Sequence, residues 1–298
     1  MSTSRATLCV LAAGTLWGCI SLFVRQLDAA GLSMMNISGI RLTVGAIGML
    51  LIILVTDRSR LRIRLRDIWL FVGMGFVSLT LFNVFYFTCM TESEASIAVV
   101  LLYTSPIFVL AMSALFFKER VTKRKVIAIA MTFVGCALVA GFLGGSFQLS
   151  PFALACGIAS GFFYATYSIF GRVALRRYDT ITTTFYTFVV GAIASLLLGT
   201  PADTISLTMS NPSIIACYLG LGIICTIAPY LLYTAGLAHL ETSKAAIFAT
   251  VEPLVGSFLG LVVYGESLGV QKICGMLLIL GAVVLANSEG DTRTASTD

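Results

Sequence analysis

The sequence predicts an all-α integral membrane protein: ten transmembrane helices arranged as two inverted five-helix repeats. Three observations carry that expectation. Hydrophobic residues make up 58% of the chain and charged residues 11%, whereas a soluble domain carries roughly 25% charged residues. About ten apolar runs of roughly 18–25 residues follow one another, each long enough as a helix to cross a ~30 Å hydrocarbon core. The chain also matches itself at an offset of 147 residues, where Ser96 falls on Ser243, Ala98 on Ala245, Pro106 on Pro253, Glu119 on Glu266 and Lys125 on Lys272. Proline, glutamate and lysine are scarce in so apolar a chain, so their coincidence at one offset outweighs any match among Leu, Val and Ala.

Helix is the expected form because lipid leaves no partner for the backbone groups of an open strand. The predicted spans are 6–24, 33–55, 68–88, 95–117, 124–143, 151–171, 181–199, 212–236, 243–264 and 270–287. Residues 6–143 form the first repeat, 151–287 the second, and 288–298 a polar, disordered tail. Five spans is an odd number, so the second copy enters the membrane upside down, an arrangement known in secondary transporters. With the N-terminus inside, sixteen of the 19 basic residues are cytoplasmic. These are Arg5, five arginines from Arg58 to Arg66, five residues between Lys118 and Lys125, three between Arg172 and Arg177, Lys244 and Arg293. Only Arg25 and Lys272 fall outside, with Arg41 within a span. The positive-inside rule therefore places both termini in the cytoplasm. The net charge of +5 is a topology signal and gives no reason to expect nucleic-acid binding.

The first span follows Arg5 and is too long for a signal-peptide core, so it reads as an uncleaved helix. Its Gly14 and Gly18, and Gly157 and Gly161 in the second copy, form small-xxx-small patterns that let helices approach closely. Trp17 and its counterpart Tyr164 offer ring area with one polar handle, for packing or for a cavity wall. Arg41 lies about eight residues into the second span, roughly 12 Å deep by helix rise. It reads either as a topology anchor that snorkels outward or as an anion site or ion-pair partner facing the bundle interior. The alternating arginines of RSRLRIRLRD are explained by topology alone.

The third and eighth spans end in LFNVFYFTCM and APYLLYTAGL, which set Tyr86 opposite Tyr233. Asn83, Tyr86, Tyr103, Tyr230 and Tyr233 are polar or amphipathic groups in apolar helices. Tyrosines near span ends commonly form interfacial belts, but Tyr103 lies midway along its span. Pro106, Pro229 and Pro253 interrupt helices and free backbone carbonyls, which is tolerated where the site lines protein or water; simple kinking is the plainer role for each.

Glu252 sits about ten residues from either end of the ninth span. Lys244, Phe248 and Glu252 are spaced i, i+4 and i+8, one face of a continuous helix. A carboxylate at that depth should be paired or protonated, and is a functional-site candidate; a fixed pair with Arg41 that merely locks two helices is the structural alternative. His239 is the one histidine, with no partner to suggest a metal or a proton relay. The eight cysteines contain no CxxC and read as packing residues with free thiols. No HExxH, Asp-rich or Walker A sequence appears, so neither a metal nor a cofactor is expected.

The half-repeat, with its Pro106/Glu119 and Glu252-Pro253/Glu266 landmarks, the IRLTVGA segment and the early Trp17-Gly18, resembles the EamA-type family of the drug/metabolite transporter superfamily. The resemblance runs from about residue 6 to 287. It implies a central cavity enclosed by spans one to four and six to nine, with spans five and ten at the periphery, and a carrier of metabolites, largely an exporter. Glu119 and Glu266 are landmarks with a structural role; at the position of Lys244 the family resemblance implies a small residue. The expectation is thus a multi-pass cell-membrane transporter that moves a small amino acid, amine or drug-like metabolite by alternating access. Its partners are that small molecule, the lipid bilayer and, as the coupling ion to test, protons. A membrane channel or scaffold is the alternative, and an intramembrane enzyme would need a convergent catalytic set that the sequence lacks.

Overall fold

A computed structural model describes residues 1–141, 149–267 and 269–288, and those residues contain helices and turns but no strand. Among the described residues, nine helical runs are long and apolar enough to cross a membrane: Thr3–Ala29, Met34–Thr56, Leu65–Glu92, Ala95–Phe117, Pro151–Ala174, Thr180–Leu198, Ile214–Leu237, Thr242–Tyr264 and Val270–Asn287. The segment expected as the fifth span is a 17-residue helix, Lys123–Val139. Ala140 and Gly141 form a turn after it, while residues 142–143 of the expected span, and all but the first residue of the tail, lie outside the described residues. Helix starts have local causes. Ser33, Thr122, Ser150 and Asp179 each accept, through a side-chain oxygen, the backbone N–H three residues on, which satisfies a donor that the first turn leaves free.

The outer surface is that of a body in lipid. Val55 is 86% exposed and Leu197 80%, while Ser113, Thr132, Thr183 and Ser195 are wholly buried. Apolar surface on this scale marks a membrane contact. Lys123–Val139 and Val270–Asn287 pack on each other at backbone distance: a Cβ on Gly135 would lie 2.8 Å from the Gly275 carbonyl oxygen, and one on Gly275 2.5 Å from that of Gly135.

Local geometry recurs at the 147-residue offset. The Ala95–Phe117 run is broken into Ala95–Leu102 and Ser105–Phe117, and the Thr242–Tyr264 run into Thr242–Ala249 and Glu252–Tyr264. Pro106 and Pro253 cause both breaks, because each lacks an N–H and crowds the carbonyl four residues earlier. Those freed carbonyls belong to Leu102 and Ala249, and a glycine from the other half packs on each. A Cβ on Gly14 would lie 2.7 Å from the Ala249 oxygen, and one on Gly161 3.2 Å from that of Leu102. Both broken helices end in a left-handed residue, Lys118 (φ 56°) and Gly265 (φ 66°). Wide π turns at Gly73–Thr80 and Ile223–Ile227 also end at matching positions.

Three features depart from the sequence reading. The first run is kinked at Cys19. An extra helix, Pro201–Ser210, follows the seventh span. Lys244, Phe248 and Glu252 do not share one continuous helical face, because the turn at Thr250–Val251 separates Glu252 from the other two.

Candidate functional site

The two broken helices and the N-terminal helix meet at Trp17, Tyr103 and Glu252, which form a partition across the bundle. On one side lies a cavity of about 430 Å³, lined by Arg41, Asn83 and Tyr86 and reaching Arg25, Met90 and Gly260 at the helix ends away from the arginine-rich loops. On the other side only about 30 Å³ remains, lined by Tyr164, Tyr167, Tyr230 and Tyr233 among others. The bundle is thus hollow toward one face and packed toward the arginine-rich face. Neither cavity is lined by Lys123–Val139 or Val270–Asn287.

On the packed side, aromatic edges and hydroxyl pairs fill the space. The Trp17 ring sits 5.2 Å from Tyr230 and 5.4 Å from Tyr233, centroid to centroid. Tyr233 shares a 2.7 Å hydrogen bond with Ser168, and Tyr167 one of 3.1 Å with Thr234. The buried indole N–H of Trp17 has no hydrogen-bond partner among the described residues.

On the hollow side, Arg41 donates from Nε to the Thr226 hydroxyl at 3.2 Å, and Thr226, within the wide turn, in turn donates to the Leu221 carbonyl of the preceding helix. That turn, followed by Pro229, therefore fixes the guanidinium. Asn83 donates to Ser38 at 2.7 Å. Tyr86 packs on Phe82, which also meets Tyr164 edge-on at 5.2 Å. Glu252 opens the second half of its broken helix, where the unpaired N–H groups of a first turn favour a negative charge. Its match in the other half is Ser105, so the carboxyl occurs at one break only. Glu252 and Arg41 line the same cavity, but they do not come within the 4.0 Å of an ion pair. The fixed Arg41–Glu252 lock considered from the sequence is therefore absent from this conformation.

At the arginine-rich face, the start of the Thr242–Ala249 helix is closed by a buried polar cluster. Glu119 accepts from the Thr242 N–H at 2.6 Å and from both the N–H and hydroxyl of Ser243 at 3.2 and 2.7 Å. Lys125 pairs with Glu241 at 2.8 Å, with side chains only 1% and 5% exposed, and Arg172 donates to the Leu237 carbonyl. Lys244 stands 4.0 Å from Glu241. Burial pushes the Glu119 carboxyl up, but the Ser243 and Thr242 donors outweigh it and hold the group below the usual carboxylate range. The contribution of this contact is thus complete above the ordinary carboxylate value and is lost as pH falls through the depressed one. Proteolysis near residues 239–244 is accordingly expected to speed up in acid, and Glu119→Gln should remove that pH dependence.

Of the residues singled out in the sequence, Glu252, Arg41, Tyr103, Tyr86, Trp17 and Asn83 line the larger cavity, while Tyr164, Tyr230 and Tyr233 line the small one. Pro106 and Pro253 lie just beyond the two breaks, and Pro229 just beyond the second wide turn. Sequence reasoning missed Ser38, Thr226 and the role of Arg172. It also missed the buried Lys125–Glu241 pair, although Glu94/Glu241 and Arg25/Arg172 match at the same 147-residue offset.

A multi-pass bundle around a largely apolar cavity that carries a few polar groups and is closed at one end has the build of a membrane transporter. The comparisons with known proteins agree: the chain belongs to the EamA-like transporter family, which matches residues 4–141 and again 151–288. It is 24% identical over 291 residues to the uncharacterized transporter YwfM of Bacillus subtilis, covering 97% of this chain and 96% of the relative. It is 28% identical over 219 residues to an uncharacterized transporter of Archaeoglobus fulgidus, covering 74% and 77% of the two chains. A solved crystal structure superposes with a TM-score of 0.80 at 20% sequence identity, over 99% of this chain and 100% of that one, which shows the fold.

Proposed function

We propose that the protein is a secondary exporter that carries a small zwitterionic, amino-acid-like metabolite in exchange for protons. One observation carries this reading: Arg41 and Glu252 share a cavity of about 430 Å³ without pairing. A fixed cation and a fixed anion held apart fit a ligand bearing a carboxylate and an ammonium, each forming a charge-assisted hydrogen bond. The Trp17, Tyr86 and Tyr103 rings favour an apolar or planar side chain between those ends. Glu252 can hold either a proton or the substrate ammonium, and this exclusion couples the two fluxes. A proton taken up from the hollow side and released at the arginine-rich side moves inward, so the substrate exchanged for it leaves the cell.

The architecture proposed is ten helices in two inverted repeats, with Lys123–Val139 as the fifth span and the arginine-rich face in the cytoplasm. The repeated breaks, glycine contacts and left-handed caps support the duplication, and the Trp17–Tyr103–Glu252 partition supports a carrier over an open channel. Two halves of one build can exchange conformations about a fixed midplane site, which is alternating access.

Binding of L-phenylalanine, phenethylamine and 3-phenylpropanoate tests the substrate class, since the three share a ring and differ in charged ends. The zwitterion is expected to bind ~10-fold or more tightly than either one-ended analogue, about 1.4 kcal/mol or more, and Arg41→Leu should erase its advantage over the amine. Equal binding of zwitterion and amine to the unaltered protein would contradict the reading. For orientation, a cysteine at Ser206 should label with an impermeant thiol reagent from outside whole cells, and one at Ser59 should not. Labelling of Ser59→Cys alone would invert the topology.

A further inference from the structure

We propose that both mouths of the cavity are closed by the same gate, encoded twice. The hollow side would close when Glu266 caps the helix start at Ala95–Ser96, Lys272 pairs with Glu94, and Arg25 donates to the Met90 carbonyl. This rests on alternating access and adds the contacts that perform it.

The closed gate at the arginine-rich face uses Glu119, Lys125, Arg172, Glu241 and Ser243. Each has a partner of its own residue type 147 positions away: Glu266, Lys272, Arg25, Glu94 and Ser96. The acceptor carbonyl of Leu237 maps to that of Met90 by the same offset, and Met90 lines the hollow cavity. In this conformation the second set is assembled differently. Glu266 is held by Arg25 at 2.7 Å and Lys272 at 3.5 Å, with Arg25 52% and Lys272 30% exposed at their side chains. Glu94 is exposed, and its carboxylate accepts from the Ser96 hydroxyl beside it at 3.4 Å. One set is therefore buried and joined across the two halves, while its twin stands open at the cavity mouth.

Physical chemistry supports the exchange. A carboxylate at a helix start satisfies N–H groups that the helix itself leaves free. Both helix starts need such an acceptor in a water-poor site, and each half carries one for the other. Opening one mouth exposes Glu119 to Arg172 and Lys125, the mirror of the present Glu266–Arg25–Lys272 cluster. Similar interactions are thus broken and made, which leaves the two states close enough in energy for a ligand or a proton to choose between them.

Cross-linking in a cysteine-free background tests this without a known substrate. Lys125→Cys/Glu241→Cys, joined by a short bifunctional thiol reagent, calibrates the reach on the gate that is already closed. Glu94→Cys/Lys272→Cys is the test pair, with Ser96→Cys/Glu266→Cys as a second pair should the first fail to fold. A separate reporter, Ser168→Cys, lies on the packed side and labels from the arginine-rich side of the membrane only when that mouth opens. The expected result is that the test pair cross-links to at least half the yield of the calibrating pair, and that cross-linking it raises Ser168→Cys labelling several-fold. If Ser168→Cys labels in unlinked protein but neither test pair cross-links, alternating access stands and this gate is wrong. If the pair cross-links without raising the labelling, the contact is not a gate, and the proposal fails. If Ser168→Cys never labels, alternating access fails and takes the proposal with it.

Discussion

Glu252→Gln is expected to lower proton-coupled exchange by ~10–100-fold in a protein that still folds, the equivalent of losing a hydrogen bond to a charged group, about 1.5–3 kcal/mol. Glutamine preserves the shape of the side chain and its capacity to accept a hydrogen bond at the cavity partition. It cannot carry a proton, and it offers an ammonium no countercharge. Two consequences should appear together: weaker binding of the zwitterion, and residual flux indifferent to a pH gradient. The fold should survive because Glu252 has no hydrogen-bond or ion-pair partner among the described residues. Unchanged pH dependence in a folded Glu252→Gln protein would remove Glu252 from the coupling role. Failure to fold, with rescue by Arg41→Leu, would instead point to a structural pair formed in another conformation.

Gly14→Val is expected to give the largest loss of stability, about 1–3 kcal/mol from overpacking or more. A Cβ at that position would lie 2.6 Å from Val251 Cγ1 and 2.7 Å from the Ala249 carbonyl oxygen. The second contact is backbone, at the break beside Glu252, so no rotamer change relieves it. The N-terminal helix must then retreat from the partition, moving Trp17 from Tyr230 and Tyr233. Thermal unfolding of purified Gly14→Val in detergent measures the loss. Gly31→Val is the control, because a Cβ there meets nothing within 4 Å, although its φ of 97° adds local backbone strain. Equal midpoints for Gly14→Val and the unaltered protein would show that the contact with the break is dispensable.

Much of this was legible in the sequence because lipid makes its demands in composition. The spans, their order and the basic bias follow from hydropathy and arginine placement. The twofold writing of the chain follows from scarce residues such as Pro106/Pro253 and Glu119/Glu266. Glu252 and Arg41 stood out for the same reason: a charge within an apolar run needs an explanation. What stayed hidden was geometry at the scale of a single turn. Pro253 signalled a disturbed helix, but not that Thr250–Val251 would separate Glu252 from Lys244. The wide turn at Gly73–Thr80 has no proline to announce it. Glu119 read as a structural landmark because its donors, the N–H groups of Thr242 and Ser243, belong to a helix start 123 residues away. Residue type does not record which backbone donors remain unpaired.

The exclusion of proton and substrate at Glu252 is tested most directly by counting protons on binding. Calorimetric titration of the zwitterion that binds best, repeated in buffers of different ionisation enthalpy across the acidic to neutral range, gives the number released per ligand bound. The account predicts net proton release somewhere in that range for the unaltered protein, and none at any pH for Glu252→Gln. Binding without proton release at every pH in the unaltered protein, or the same release from Glu252→Gln, would contradict it.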